Sequence, residues 1–188
     1  MREKKISGDV LIKIARDAIW QSFSGESLID RRRLLGEYPY LAEDGAVFVT
    51  LTLEGRLRGC IGSTEAFRPL IDDIIHNAKA SAFRDTRFKP LTKHEFKAVK
   101  IEISLLSRPQ RVEYKSVEHL RGLLKPGVDG VILEKGFHRS VFLPQVWDLV
   151  SGFDAFFEHL CRKAGMSGDC LRRHPDIDKF QVQIFEEQ

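Results

Sequence analysis

The segment Arg58-Gly59-Cys60-Ile61-Gly62 gathers a thiol, two flanking glycines and a guanidinium within five positions. On an extended strand, side chains two apart share a face, so Arg56, Arg58 and Cys60 would lie on one side with successive α-carbons about 6.6 Å apart. A guanidinium at that range favours the thiolate, which is the form of cysteine that attacks electrophiles or ligates metals. Gly59 and Gly62 remove side chains beside the sulfur and admit a ligand or another backbone. These residues point to Cys60 as a nucleophile with Arg58 beside it, and to Gly59 and Gly62 as part of a substrate site. The same residues also fit a buried structural cysteine next to a strand bulge.

A second constellation is Ser81-Ala82-Phe83-Arg84-Asp85-Thr86-Arg87-Phe88-Lys89-Pro90, where two arginines bracket an aspartate. Asp85 and Arg87 could orient an anionic or amide-bearing ligand through planar paired donors, or could simply pair with each other to fix a loop. Glu102 lies between Lys100 and Ser104 on a polar strand face that either lines a groove or meets solvent. His76, with apolar Ile75 and Ala78 around it, reads as a packed or surface histidine rather than a base. His159, Cys161, Cys170 and His174 do not have a zinc spacing. His94-Glu95 lacks the second helical histidine of a zinc peptidase. A phosphate loop, a dinucleotide glycine pattern and a serine elbow are also absent from the sequence. No metal or cofactor is expected.

The 188 residues are enough for a substantial core, and 43% hydrophobic with 30% charged residues is a globular composition. The net charge of +3 comes from 30 basic and 27 acidic residues scattered along the chain, so a nucleic-acid partner is permitted but not implied. Arg31-Arg32-Arg33 reads as a solvated loop or helix end. Three cysteines do not suggest a disulfide framework, and neither a signal-type start nor a long apolar run is present, which together point to a reduced, cytoplasmic setting.

The elements that must position these groups are legible in the periodicity. Val10, Leu11, Ile14, Ala15, Ala18 and Ile19 predict a helix between Ser7 and Gly25. Residues 26–45 lack steady periodicity. Ala46 to Leu53, the turn Glu54-Gly55 and Arg56 to Ile61 predict a β-hairpin. Leu70, Ile71, Ile74, Ile75, Ala78 and Ala82 predict a helix begun near Pro69. Thr92 and Glu95 have capping-box spacing, and Val99 to Leu106 alternates as a strand. Ser116 caps a short helix, Asp129 to Glu134 pairs with Phe137 to Leu143, and Asp154 begins a helix ended by Gly165. Asp178 to Phe185 predicts one final strand. Hairpins mixed with helices favour an α+β fold, with an antiparallel or mixed sheet and flanking helices, over a doubly wound sheet.

The runs Leu57-Arg58-Gly59-Cys60-Ile61-Gly62 and Ser81 to Phe88 with Pro90-Leu91 resemble the AMMECR domain family, known in prokaryotes as AmmeMemoRadiSam system protein A. So do Ile101 to Ser107, Pro126-Gly127-Val128-Asp129-Gly130, Phe142 to Trp147 and Lys163-Ala164-Gly165. The resemblance implies a single α+β domain of two unequal lobes with a cleft between them, with the Arg58 to Gly62 motif as its site. It also implies association with a Memo-like protein and a radical S-adenosylmethionine enzyme. It does not name a reaction. Two expectations follow: a cysteine-dependent modification of a small molecule or protein, or a binding module for nucleotide, nucleic acid or peptide without chemistry of its own.

Overall fold

A computed structural model describes residues 6–187. The chain divides into two compact units, one reaching to Leu106 and taking in the chain end from Gln183, the other Ser107–Val182. Each unit is built on its own four-stranded antiparallel sheet, and helices and strands are mixed as expected for α+β.

In the first unit, helix α1 (Gly8–Ser24) ends where Gly25 takes φ +74°, the left-handed value that favours glycine. Residues 26–45 are more regular than their sequence suggests. They hold helix α2 (Arg31–Glu37), whose Asp30 carboxylate accepts from the Arg33 N–H, and a 3-10 turn at Pro39–Ala42. α2 fully buries no residue and only half-buries the adjacent Leu34 and Leu35, so it leaves no apolar stripe in the sequence. Strands β1 (Ala46–Leu53) and β2 (Arg56–Gly62) form the hairpin, with Glu54 and Gly55 both at positive φ, as a type I′ turn requires. After helix α3 (Leu70–Phe83), the short helix α4 (Lys93–Phe96) begins with a complete capping box between Thr92 and Glu95. Strand β3 (Lys100–Leu106) pairs with β1, and the sheet order is β2-β1-β3-β8, where β8 is Val182–Glu186. Val47, Val49, Leu51, Ile101 and Ile103 are buried with Leu11, Ile14, Ile71 and Ile74 from α1 and α3.

The second unit holds β4 (Gln110–Arg111), α5 (Val117–Leu123), β5 (Gly130–Lys135), β6 (His138–Phe142), α6 (Gly152–Lys163) and β7 (Asp176–Phe180). The Ser116 hydroxyl caps α5 by accepting from the His119 N–H. Trp147, Phe153, Phe156 and Phe157 form an aromatic core, with Trp147 stacked on Phe156 at 3.6 Å between centroids.

Two expectations fail here. The final strand is not continuous: β7 belongs to the second sheet and β8 (Val182–Glu186) to the first, with Gln181 between them. The apolar alternation Phe180, Val182, Ile184 runs through the break, although Phe180 is buried in the second sheet and Ile184 is exposed in the first. The three cysteines are not all thiols: Cys161 and Cys170, both fully buried, form a disulfide. Its formation removes the argument for a reduced compartment that cysteine number suggested, and it leaves Cys60 as the free thiol. No helix among the described residues is long and apolar enough to cross a membrane.

Candidate functional site

The strand register decides where Cys60 points. Leu53 pairs with Arg56 and Thr52 with Leu57, but Leu51 pairs with Gly59, so Arg58 is an extra residue in β2. Counted back from the turn without this bulge, Cys60 would face Val49 and share its buried side of the sheet. With the bulge, Cys60 pairs with Thr50 and joins the half-buried polar face, while Gly59 takes the core side. The expected common face of Arg56, Arg58 and Cys60 is therefore broken at Arg58.

Arg58 turns to α4. Its Nε and Nη2 donate to the Glu95 carboxylate at 2.9 and 3.2 Å, and Nη2 also reaches the Pro90 carbonyl at 3.4 Å. That guanidinium, followed by the Thr92 N–H, holds Glu95 down at about 2. The cation expected to prime the thiol is thus already paired.

Cys60 is held through its backbone by the loop after α3. Its N–H donates to Asp85 Oδ2 at 2.9 Å, and its carbonyl accepts from Arg87 Nη2 at 3.2 Å. Asp85 in turn binds the Arg87 fork at 3.0 and 2.7 Å. Arg87 beside it holds the Asp85 carboxyl well below the usual carboxylate range, against its burial. Asp85 raises Arg87 above its ordinary value, with a smaller contribution from the charge of Cys60. The Phe88 ring lies within 5.9 Å of the Arg58 guanidinium and 5.5 Å of that of Arg87. β2 is an edge strand, and these side chains occupy its open hydrogen-bonding edge.

Ser81 completes the clamp. Its hydroxyl accepts from the Ile61 N–H at 2.9 Å and donates to the Val49 carbonyl at 2.6 Å, bridging residues paired across β1 and β2. The two glycines permit close packing. A Cβ on Gly59 would lie 2.2 Å from the Ser81 carbonyl oxygen, and one on Gly62 would lie 2.2 Å from the Phe48 ring. Gly59 thus admits another backbone, while the space beside Gly62 is filled by an aromatic side chain.

The sulfur itself is half-buried and accepts a hydrogen bond from the Thr50 hydroxyl at 3.3 Å. Thr50 is also paired with Glu102 on β3, so Cys60, Thr50 and Glu102 form a row across three adjacent strands, spaced by roughly 4.8 Å per strand. The Ser104 hydroxyl donates to Glu102 Oε1 at 3.3 Å. The structure therefore gathers Cys60, Asp85 and Arg87 at one edge of the sheet, leaves Glu102 on the interior strand β3, and sends Arg58 to Glu95. Sequence reasoning missed Thr50, because only the bulge brings it opposite Cys60. Among the described residues no group of His, Cys, Asp and Glu could hold a metal ion.

The family model for AMMECR1 matches residues 12–185, almost the whole chain. The chain belongs to the AMMECR1 family. A Methanothermobacter thermautotrophicus relative is 39% identical over 96% of this chain and 94% of its own. One from Thermofilum pendens is 36% identical over 96% of this chain and 89% of its own. The crystal structure of an uncharacterized protein from Pyrococcus horikoshii aligns with a TM-score of 0.81 at 33% identity, covering 96% of this chain and 91% of that one. In this AMMECR1 member the Leu57 to Gly62 motif is the bulged edge strand just described.

Proposed function

We propose that the chain takes part in a covalent modification reaction in which Cys60 is the nucleophile or covalent acceptor. The observation that carries this reading is the placement of the sulfur. A free, half-exposed thiol receives a hydroxyl donor while its own N–H and C=O are both pinned by the Asp85–Arg87 pair. A donor to sulfur favours the thiolate, and a fixed backbone limits the directions from which an electrophile must approach. In this reading Asp85 and Arg87 position the thiol, Arg58 holds the strand to α4, and Glu102 meets the substrate two strands away. The family resemblance supports a Memo-like protein and a radical S-adenosylmethionine enzyme as partners, in the cytoplasm.

The test is mass spectrometry of the chain purified from cells that co-express both partners. A defined adduct on Cys60, absent from Cys60→Ser, is the expected result. Modification that proceeds unchanged with Cys60→Ser would overturn the proposal.

A second reading is a binding module without chemistry. It is favoured by the partner that the Cys60 sulfur does have, the Thr50 hydroxyl, which is neither a cation nor a general base. In that case Cys60→Ser preserves activity while Arg58→Ala and Arg87→Ala lose it.

A further inference from the structure

The hairpin of β5 and β6 closes at the Lys135–His138 pair, leaving Gly136 and Phe137 as its two-residue turn. Gly136 takes φ +60°, the positive value required at the first central position of a II′ turn, and this carries Phe137 to the tip. Phe137 is 107% exposed, so its ring buries nothing within the chain. Folding alone does not account for a full aromatic ring held in water on a rigid turn.

At the base of the same hairpin, the Lys135 ammonium donates to the Arg173 and His174 carbonyls at 2.5 and 3.5 Å. These bonds bring the 3-10 turn Cys170–Arg173 against the hairpin, with Arg172 and Arg173 both exposed. His174 follows, exposed, with its imidazole stacked parallel on Tyr114 at 4.1 Å between centroids and 6° between planes. Tyr114 is itself buried and anchored by its hydroxyl to the Pro175 carbonyl at 2.7 Å. The His174 ring is thus preoriented as a flat surface group. Of the neighbouring carboxylates, Glu134 pairs with Arg139 and Asp176 with Arg111, while Asp169 stands 3.9 Å from Arg172. The Lys135 ammonium is held by carbonyl oxygens, and Arg173 shares the field of Asp169 with Arg172.

We propose that this face of the second unit binds single-stranded nucleic acid, with bases stacking on Phe137 and His174 and phosphates meeting Lys135, Arg172 and Arg173. Two aromatic platforms interleaved with cations are the recurring means of holding a single strand without reading its sequence. An anionic lipid surface would use the Phe137 tip and the cations but has no use for the stacked His174 ring. The proposal is independent of the Cys60 reading.

Fluorescence anisotropy of the full chain with a labelled oligouridylate tests it. Three phosphate contacts predict that raising salt from about 50 to about 200 mM weakens binding about 20-fold, from a slope of about −0.7 per contact. Phe137→Ala should weaken binding about tenfold, since a base stack is worth about 1–3 kcal/mol. Arg172→Ala with Arg173→Ala should flatten the salt dependence, and Cys60→Ser should bind as the unaltered chain. All three altered residues on this face are exposed, so the fold is not at stake. Absence of binding at low salt would overturn the proposal. So would affinity untouched by these substitutions, preference for a duplex, or binding to phosphatidylglycerol vesicles in place of the oligonucleotide.

Discussion

The two units secure their strands by different means. In the first, an aliphatic core is supplemented by directional polar bonds between helix α3 and strands β1 and β2. Asp73, fully buried, accepts from the Val47 N–H, the Ser63 hydroxyl and the Asn77 amide, and Ser81 and Asp85 continue the series to Cys60. In the second, stacked rings and a buried disulfide are joined by fewer such bonds among the described residues, including the Ser140 hydroxyl to the Leu160 carbonyl and Lys163 to the Val141 carbonyl. Apolar packing specifies volume, whereas hydrogen bonds specify direction and penalise any group left unpaired. In the unit that carries the candidate thiol, these bonds converge on the strand that holds it.

Glycine substitutions break this comparison most sharply. Gly59→Ala should cost more than about 3 kcal/mol, because its methyl group meets a backbone carbonyl that cannot move without parting β2 from α3. Gly122→Ala on α5, where an added Cβ meets nothing, should stabilise by up to about 1 kcal/mol through helix propensity. Urea unfolding of both variants measures the contrast.

Removing the disulfide with Cys161→Ala and Cys170→Ala should cost about 2–3 kcal/mol, the loop-closure value for a separation of 9 residues. Alkylation of Cys60 should be unaffected, and a changed rate would show that the units are not independent.

Acid should act on the first unit through Glu95 and Asp85. Both are depressed in the folded chain, so the stability they contribute is present above their unfolded values near 4 and is lost as pH falls, toward about 2 for Glu95. Glu95→Gln should flatten the fall in urea midpoint between about pH 4 and about pH 2. An unchanged slope would remove the Arg58–Glu95 pair from the account.

The smallest effect is expected at Thr50. Thr50→Val removes one donor to the sulfur and should slow iodoacetamide labelling of Cys60 about threefold, the scale of a net hydrogen bond. Stability should stay nearly unchanged, because the hydroxyl faces the polar side of the sheet.

Much of the fold was readable where the relevant physics is local. The apolar stripes of α1 and α3, the Glu54-Gly55 turn, the Thr92–Glu95 box and the Ser116 cap each depend on residues within a turn or two of chain. α2 was not readable because only Leu34 and Leu35 lean on the core, too few for a stripe, and the break at Gln181 was not because alternation continues through it. Around the candidate site, Cys60, Asp85 and Arg87 were singled out by type and neighbourhood, yet their bonding to one another spans 25 and 27 residues of chain.

The amino-acid sequence by itself determined the family, most of the element order and the choice of Cys60 as candidate, since these follow from residue type and short-range period. Only the tertiary structure decided which face the sulfur takes, which cation is spent on Glu95, and which two cysteines join. Those outcomes rest on strand register and on contacts between residues distant along the chain, and a single extra residue at Arg58 is enough to reverse a side chain's direction.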